Sequence, residues 1–333
     1  MEEKKCRNIF SKKFYKTHAK LKSIIAIVTA GILTLAITLS IVAFSVANIY
    51  LSKIKRPDGE LDIDAPEAAK NIYDNQNIIN ILLFGLDEKS PKLIGRSDSI
   101  MLITINKETK KIKLTSLARD TRVPIEGHGM DKLCHAFVYG WQEKKDISGG
   151  AEFAIKTINN AFNLNVSEYI TANFWSVENI VNYLGGVDIQ LTNAEYKYLN
   201  LEKNVDPKTG KQTLNGELAL RYSRIRKIDG AVQRDGRQRK VIMALFEKAK
   251  KLNPTKYNEF VNLVLKECTT SLSNSKIISL TSWGISNMNL IKFETLSIPT
   301  LELDQYGIID GIWYYTYDLG RASEIIKDFI LDN

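Results

Sequence analysis

The sequence predicts an α/β domain, a central mixed β-sheet covered by helices on both faces, preceded by one transmembrane helix. Three observations carry this expectation. Residues 78–85 (IINILLFG) are a short apolar run of the kind that fills a buried central strand. Further strand-like runs alternate downstream with amphipathic helical stretches, the pattern of a sheet with helices on its faces. Residues 23–52 contain no Asp, Glu, Lys, Arg or His.

From the amino terminus, residues 1–22 carry eight Lys or Arg against Glu2 and Glu3. As a helix, residues 23–49 would reach roughly 40 Å, enough to cross a hydrocarbon core of about 30 Å with tilt. The basic tail before them predicts a single-pass protein of the cell membrane, amino terminus cytoplasmic and the rest extracytoplasmic. The alternative is a cleaved signal peptide, with small residues Ala43, Ser45 and Ala47 near its end. The apolar run exceeds the roughly 7–15 residues of a signal core, which favours a retained anchor. Of the net charge of +8, the tail supplies +6, leaving +2 for the remaining chain. The high pI is therefore topogenic, and a nucleic-acid partner is not expected.

Residues 50–76 read as an extracytoplasmic tether, with Pro57, Gly59, an acidic stretch and Pro66. Residues 77–333 read as one large domain. After the first strand, residues 99–105 and 111–117 read as a hairpin around the turn 106–110. A helix is expected over 150–162, with Phe153, Ala154, Ile155, Ile158, Ala161 and Phe162 on one face. Strands at 169–174 and 187–191 flank a helix over 177–184 that Gly185-Gly186 stops. Helices are expected over 217–226 and 238–251 with a loop at 229–236, then a helix within 254–270. A strand at 293–298 and a helix over 318–331 complete the chain.

Twelve residues are arginine against 34 lysines, yet Arg221, Arg224, Arg226, Arg234, Arg237 and Arg239 crowd into nineteen positions. Arginine presents a planar fork that matches phosphate or carboxylate oxygens two at a time, so the block reads as a site for a phosphate-bearing ligand. Arg221 and Arg224 share a helix face; Arg234, Arg237 and, less well, Gln238 repeat the spacing at the next helix start, where backbone N–H groups favour anions. A solvated basic helix pair is the competing reading. Asp87, Arg96, Asp98, Arg119 and Asp120 fall at strand ends, where open sheets bind ligands. A Gly- and Pro-containing loop between Asp87 and Asp98 would let both carboxylates meet. With ligand phosphate oxygens they suit Mg²⁺ (or Mn²⁺); surface pairing with Arg96 and Arg119 is the alternative.

Several constellations are missing. There is no G-x-S-x-G elbow, and His18, His128 and His135 form no evident triad. Thr209-Gly210-Lys211-Gln212 lacks the upstream glycine of a phosphate loop. Cys6, Cys134 and Cys268 show no metal-type spacing.

Six ordered blocks resemble the LytR-CpsA-Psr family of Gram-positive cell-envelope proteins: NILLFGLD at 80–87, GRSDS at 95–99, SLARDTRV at 116–123, DKLCHA at 131–136, LGGV at 184–187, and the run from 214 to 226 continuing into 234–241. The resemblance spans residues 78–251. It implies a phosphotransferase that moves a glycopolymer (teichoic acid, capsule or another secondary polysaccharide) from a polyprenyl diphosphate carrier to peptidoglycan, leaving a phosphodiester. By position it places Asp87 and Asp98 at the Mg²⁺. It places Arg96, Arg119, Arg224, Arg226 and Arg234 around the pyrophosphate, joined by Lys132, Arg237 and Gln238. Arg119, Asp98, Arg224 and Arg226 are the expected catalytic set, with Asp98 or Asp120 as candidate proton acceptor. The lipid would need an apolar groove, for which Phe153, Ile158, Phe162, Phe174, Trp175, Ile180 and Tyr183 are candidates; ordinary core packing is the alternative. The chain departs from the family's D-G-D-F-G-R at Asp229-Gly230-Ala231-Val232-Gln233-Arg234, where Ala231 replaces an acid. That departure keeps two alternatives open: a polyprenyl-diphosphate-binding regulatory protein, and a lipid pyrophosphatase.

Overall fold

The computed structural model describes residues 56, 61–63, 65–73, 75–90, 93–199 and 210–332. The expected tail, the span at 23–49 and most of the tether lie outside the described residues. Among the described residues no helix is long and apolar enough to cross a membrane.

A short helix α1 (Glu67–Ile72) precedes β1 (Ile78–Ser90), which pairs antiparallel with β2 (Leu93–Asn106). The turn at 107–110 leads to β3 (Lys111–Leu117), antiparallel to β2. A small hairpin, β4 (Arg122–Ile125) and β5 (Gly129–Lys132), leads into α2 (Leu133–Lys144) and α3 (Ile147–Phe162). These helices form the crossover to β6 (Tyr169–Asn173), parallel to β1. Next come α4 (Phe174–Tyr183), β7 (Val187–Gln190), α5 (Asn193–Leu199), β8 (Lys211–Leu214), α6 (Gly216–Ser223) and α7 (Ala231–Ala249). The chain ends with α8 (Tyr257–Glu267), β9 (Cys268–Thr270), α9 (Asn274–Asn287), β10 (Lys292–Ile298), the hairpin β11 (Tyr306–Ile309) and β12 (Ile312–Tyr315), and α10 (Leu319–Leu331).

The central sheet runs β10-β3-β2-β1-β6-β9, parallel at β10/β3 and β1/β6 and antiparallel elsewhere, so the expected mixed sheet is present. The period-two pleat sends Leu82, Phe84 and Leu86 of β1 and Ile100 and Leu102 of β2 to one face. There they meet Phe137 of α2, Ile155, Ile158 and Phe162 of α3, and Ile326 and Ile330 of α10. Each such side chain contributes about 1.5–3 kcal/mol when fully buried. Backbones approach closely here: a Cβ on Gly140 would lie 2.3 Å from the Gly149 carbonyl oxygen, so glycine is required where α2 crosses α3. In a second cluster, Tyr222 and Ile225 pack with Val181, Val187 and Val241, tying α4, α6 and α7 to the β7–β8 ribbon.

Two local expectations are corrected. Asp87 and Asp98 lie inside β1 and β2, not at the strand ends that a long loop would separate. The helix expected to end at 226 stops at Ser223, and α7 begins at Ala231, so Arg234, Arg237, Gln238 and Arg239 occupy its first turns. Ile158 and Phe162 are fully buried in the main core with Phe153 packed against it, the arrangement that the core-packing alternative describes.

Candidate functional site

The β1–β2 pairing fixes the first half of the site. Gly85 faces Ser99 and Leu86 faces Ser97, which leaves Asp98 as the extra residue of a β-bulge. Bulges bend a strand and re-aim a side chain, and here the side chain is a carboxylate. Gly85 is suited to this point, since a Cβ there would lie 2.8 Å from the Ser99 Cβ. The guanidinium of Arg119, just after β3, donates through Nη1 to Asp98 and through Nε to Asp120 Oδ2 at 3.3 Å. Lys132 Nζ donates to Asp120 Oδ1 at 2.8 Å, closing a chain of alternating charge from Asp98 to Lys132.

The segment holding Arg119 is itself anchored. The Arg119 carbonyl accepts the Cys134 N–H (3.0 Å) and the Thr121 carbonyl accepts the Leu133 N–H (2.9 Å), so the start of α2 is capped by this turn. Burial alone would lower the Arg119 pKa, but Asp98 and Asp120 outweigh it and the shift is upward. Burial would raise Asp120; Lys132 and Arg119 outweigh it, so its carboxyl stays ionised below the usual range. Cys134, beside this cluster, is buried and its thiol is pushed up to about 12, chiefly by desolvation, which makes it an inert packing residue.

Helix α7 supplies the second half. Arg234 is buried, and its Nε and Nη2 both donate to Asp235 Oδ1, at 2.8 and 2.5 Å. Its Nη1 is buried and bonded to nothing among the described residues. Burial pushes the Asp235 pKa up, against the pull of Arg234, Arg239 and Arg119, so these groups share one electrostatic neighbourhood. Gln238 Oε1 accepts the Ser99 hydroxyl at 2.7 Å, joining α7 directly to the bulge. Arg237, expected on the pyrophosphate, donates through Nε to Glu195 (2.6 Å) and through Nη1 and Nη2 to Asp229 (2.9 and 2.5 Å). It also reaches the Ile225 carbonyl at 3.1 Å, so in this state it joins α5, the turn after α6 and α7.

The structure thus brings together Asp98, Arg119, Asp120 and Lys132, and links Gln238 to them through Ser99. Asp87 lies on β1 beside Leu86, which pairs with Ser97, so it is one strand across from Asp98. Arg96 is exposed on β2, near enough for its charge to act on Cys134. Arg224 is the exposed C-cap residue of α6, and Arg226 is half-buried in the turn before α7. Among the groove candidates, Trp175 is largely exposed, Ile180 is buried, and Tyr183 stacks on Phe260 with ring centroids 5.9 Å apart.

Sequence reasoning overlooked Ser99 and Glu195. The latter had a readable signal: Thr192-Asn193-Ala194-Glu195 is a capping box, with Thr192 Oγ1 accepting the Glu195 N–H and Glu195 Oε2 accepting the Thr192 N–H. Its other oxygen is left for Arg237. Next to the site, a cavity of 810 Å³ opens between the first turn of α7, the end of β10 and the β11–β12 hairpin.

Among the described residues no group of three or more His, Cys, Asp or Glu is placed to hold a metal. Two carboxylates on adjacent strands still fit Mg²⁺, which keeps waters and takes its other oxygens from phosphate. Zinc-type N/S ligation does not fit this donor set.

A model described as the LytR_cpsA_psr family matches residues 45–329. A protein of Oceanobacillus iheyensis named polyisoprenyl-teichoic acid–peptidoglycan teichoic acid transferase TagU is 34% identical over 270 residues, covering 80% of this chain and 77% of that one. The Bacillus subtilis protein named as the corresponding transferase TagT is 27% identical over 329 residues, 94% of this chain and 95% of its own. A structure described as TagT bound to LIIa-WTA superposes with a TM-score of 0.62 at 26% identity, covering 83% of this chain and 98% of that one.

Proposed function

The chain belongs to the LytR_cpsA_psr family, and on that premise we propose that it transfers an anionic glycopolymer of the teichoic-acid class from a polyisoprenyl diphosphate carrier to peptidoglycan. The observation that carries this reading is the half-used guanidinium of Arg234: a buried N–H donor without a partner among the described residues, in the same neighbourhood as Arg119. A buried donor left unbonded costs about 1–3 kcal/mol, a cost that a phosphate oxygen would remove.

In the proposed reaction, a peptidoglycan hydroxyl oxygen attacks the phosphorus that carries the polymer. A new P–O bond forms, and the bond to the bridging oxygen breaks. The lipid monophosphate departs with the bonding electron pair, leaving the polymer as a phosphodiester. Negative charge grows on the departing phosphate, where preorganised donors act most strongly. Arg119 and Arg234 supply such donors, with Arg96, Arg224 and Arg226 as further pyrophosphate contacts. Asp120 is held ionised by Lys132 and Arg119 and is suited to orienting them, and Asp98, paired with Arg119, is the other candidate for the hydroxyl proton. Asp87 and Asp98 would hold Mg²⁺ or Mn²⁺, which when bound neutralises diphosphate charge. Residues 23–49 would anchor the protein in the cell membrane, with the catalytic domain outside.

The test is transfer of labelled polymer from a lipid diphosphate donor to peptidoglycan oligomers with Mg²⁺. Conjugate should form with the wild type, and Arg119→Ala and Arg224→Ala should abolish it; unchanged rates in both would refute the site. Ala231, at the family's acidic position, favours one second reading, a donor-binding regulator. Stoichiometric capture of the donor with no conjugate would establish that reading, and free polymer phosphate would mark a pyrophosphatase. Protease protection in intact protoplasts checks the topology: protection of the domain would refute an outward-facing one.

A further inference from the structure

The 810 Å³ cavity beside the cluster is built from chemistry that the diphosphate reading does not use. One wall is aromatic. Trp313 of β12 meets Tyr306 of β11 at 5.8 Å between ring centroids, and Tyr315 edge-on at 4.7 Å. Such flat apolar faces, one of them exposed on Tyr306, suit the C–H-rich face of a sugar ring. The floor holds a buried cation. Arg239 donates to the neutral hydroxyls of Ser116 (2.6 Å) and Ser297 (2.8 Å), and among the described residues no carboxylate forms an ion pair with it. The acid whose charge acts on it, Asp235, is bonded to Arg234.

A buried guanidinium with only hydroxyl partners is under-compensated, and a ligand anion would complete it. The cavity lining also includes Thr300, whose Oγ1 is buried and unbonded among the described residues. Two acids face the space: Asp229, whose charge Arg237 takes, and the exposed Asp304, which can accept sugar hydroxyls. The volume lies within the roughly 300–1,000 Å³ range of small-molecule sites.

The cavity is tied to the reaction centre through Tyr315. That residue lines it, and its backbone N–H donates to the carbonyl of Asp120 at 3.0 Å. A ligand lying on Trp313 is therefore beside the Arg119–Asp120 turn.

We propose that this cavity is the subsite for the acceptor glycan, gripping a muropeptide sugar on Trp313 and Tyr306 and a peptide carboxylate on Arg239; this rests on the transferase reading above. The probe is N-acetylglucosaminyl-N-acetylmuramyl dipeptide, titrated without donor into the full-length protein in nanodiscs. Binding is read by tryptophan fluorescence and by saturation transfer to the ligand. The acid should bind about tenfold more tightly than its carboxyl-amidated form, the effect of one charge-assisted hydrogen bond. Trp313→Ala should weaken the acid by at least a similar factor while capture of the lipid diphosphate donor stays unchanged, and Arg239→Lys should narrow the difference between acid and amide. Circular dichroism melts confirm that each variant is folded, and Tyr306→Ala repeats the test should Arg239→Lys unfold. Equal binding of acid and amide, or full binding by Trp313→Ala, would overturn the proposal. Tighter binding of lipid-free polymer phosphate than of the muropeptide would overturn it too, assigning the cavity to the donor. Failure of the wild type to capture donor is a separate result, and sinks the transferase reading while leaving muropeptide affinity to be read directly.

Discussion

Arg119 and Asp98 form an ion pair in which the carboxylate is the extra residue of the bulge between the Gly85–Ser99 and Leu86–Ser97 pairs. The pairing register therefore sets where the acid stands, and the acid sets the plane of the guanidinium. Arg119→Lys keeps the charge but cannot bridge Asp98 and Asp120 together. Transfer should fall by about 10²-fold or more in kcat, comparable to loss of one preorganised donor. Thermal melting of the same variant should shift only slightly, because the ammonium keeps a cation beside both acids. A large drop in Tm alongside the lost rate would make Arg119 structural.

The Asp120 carboxyl makes stability pH-dependent with a definite sign. Its folded pKa is lowered, since Lys132 and Arg119 outweigh desolvation. Its contribution is therefore fully present above the unfolded value of about 4, and is lost as pH falls through the folded value. Urea midpoints of wild type and Asp120→Asn should differ most at neutral pH and converge in acid. A difference that grows below pH ~4 would contradict the pairing.

Arg237 is held by three internal partners: Glu195, Asp229 and the Ile225 carbonyl. Arg237→Met leaves Glu195 buried without its cation and should destabilise by about 3–5 kcal/mol, measured by denaturant unfolding. Arg237→Lys should recover little of this, because an ammonium cannot fork between two carboxylates. A near-neutral Arg237→Met would return Arg237 to the ligand.

Ala231 is the first residue of α7, and its N-cap Gly230 (φ 99°) offers no side-chain cap, with no acid in the first turn. Ala231→Asp should therefore stabilise the helix start by about 0.3–1 kcal/mol through the helix dipole, whatever the activity does. A transferase weakened at this position should also gain turnover in the labelled-polymer assay. Added stability without any product would favour the donor-binding regulator.

Much of this was legible before the structure. Periodicity placed β1, the β2–β3 hairpin, α3, β6, β10 and α10, because each has a long enough run of one period to outweigh its neighbours. The β11–β12 hairpin is not among the expected elements, although Asp310-Gly311, both at positive φ, stands between YGII and IWYY, a strong turn signal. The start of α7 was misplaced because Asp229-Gly230 reads as a loop and the arginines mask the helical period; in three dimensions Arg234, Arg237 and Arg239 point inward to Asp235, Glu195 and Ser116. Arg234 pairs with its sequence neighbour Asp235, but Arg237 and Arg239 also depend on Glu195, Ser297 and Ser116, 42, 58 and 123 positions away, and no local pattern carries that. The bulge was likewise invisible, since it arises from a mismatch between two strands and not from either one.

That mismatch suggests the sharpest structural test. Gly85 is opposite Ser99, and the Ser99 hydroxyl holds Gln238 of α7, so one glycine adjoins both halves of the site. A Cβ at position 85 would sit 2.8 Å from the Ser99 Cβ, a contact that β2 must relieve by moving. Movement there is transmitted to Asp98, the next residue, and from it to Arg119. Gly85→Ala should therefore reduce donor capture and transfer together, by about tenfold or more, since small displacements at a reacting centre carry large rate penalties. The compensating double variant Gly85→Ala with Ser99→Gly removes the clash and should restore donor capture in part, although the Gln238 contact is lost. If Gly85→Ala alone is fully active, the register of the bulge does not govern the position of Asp98.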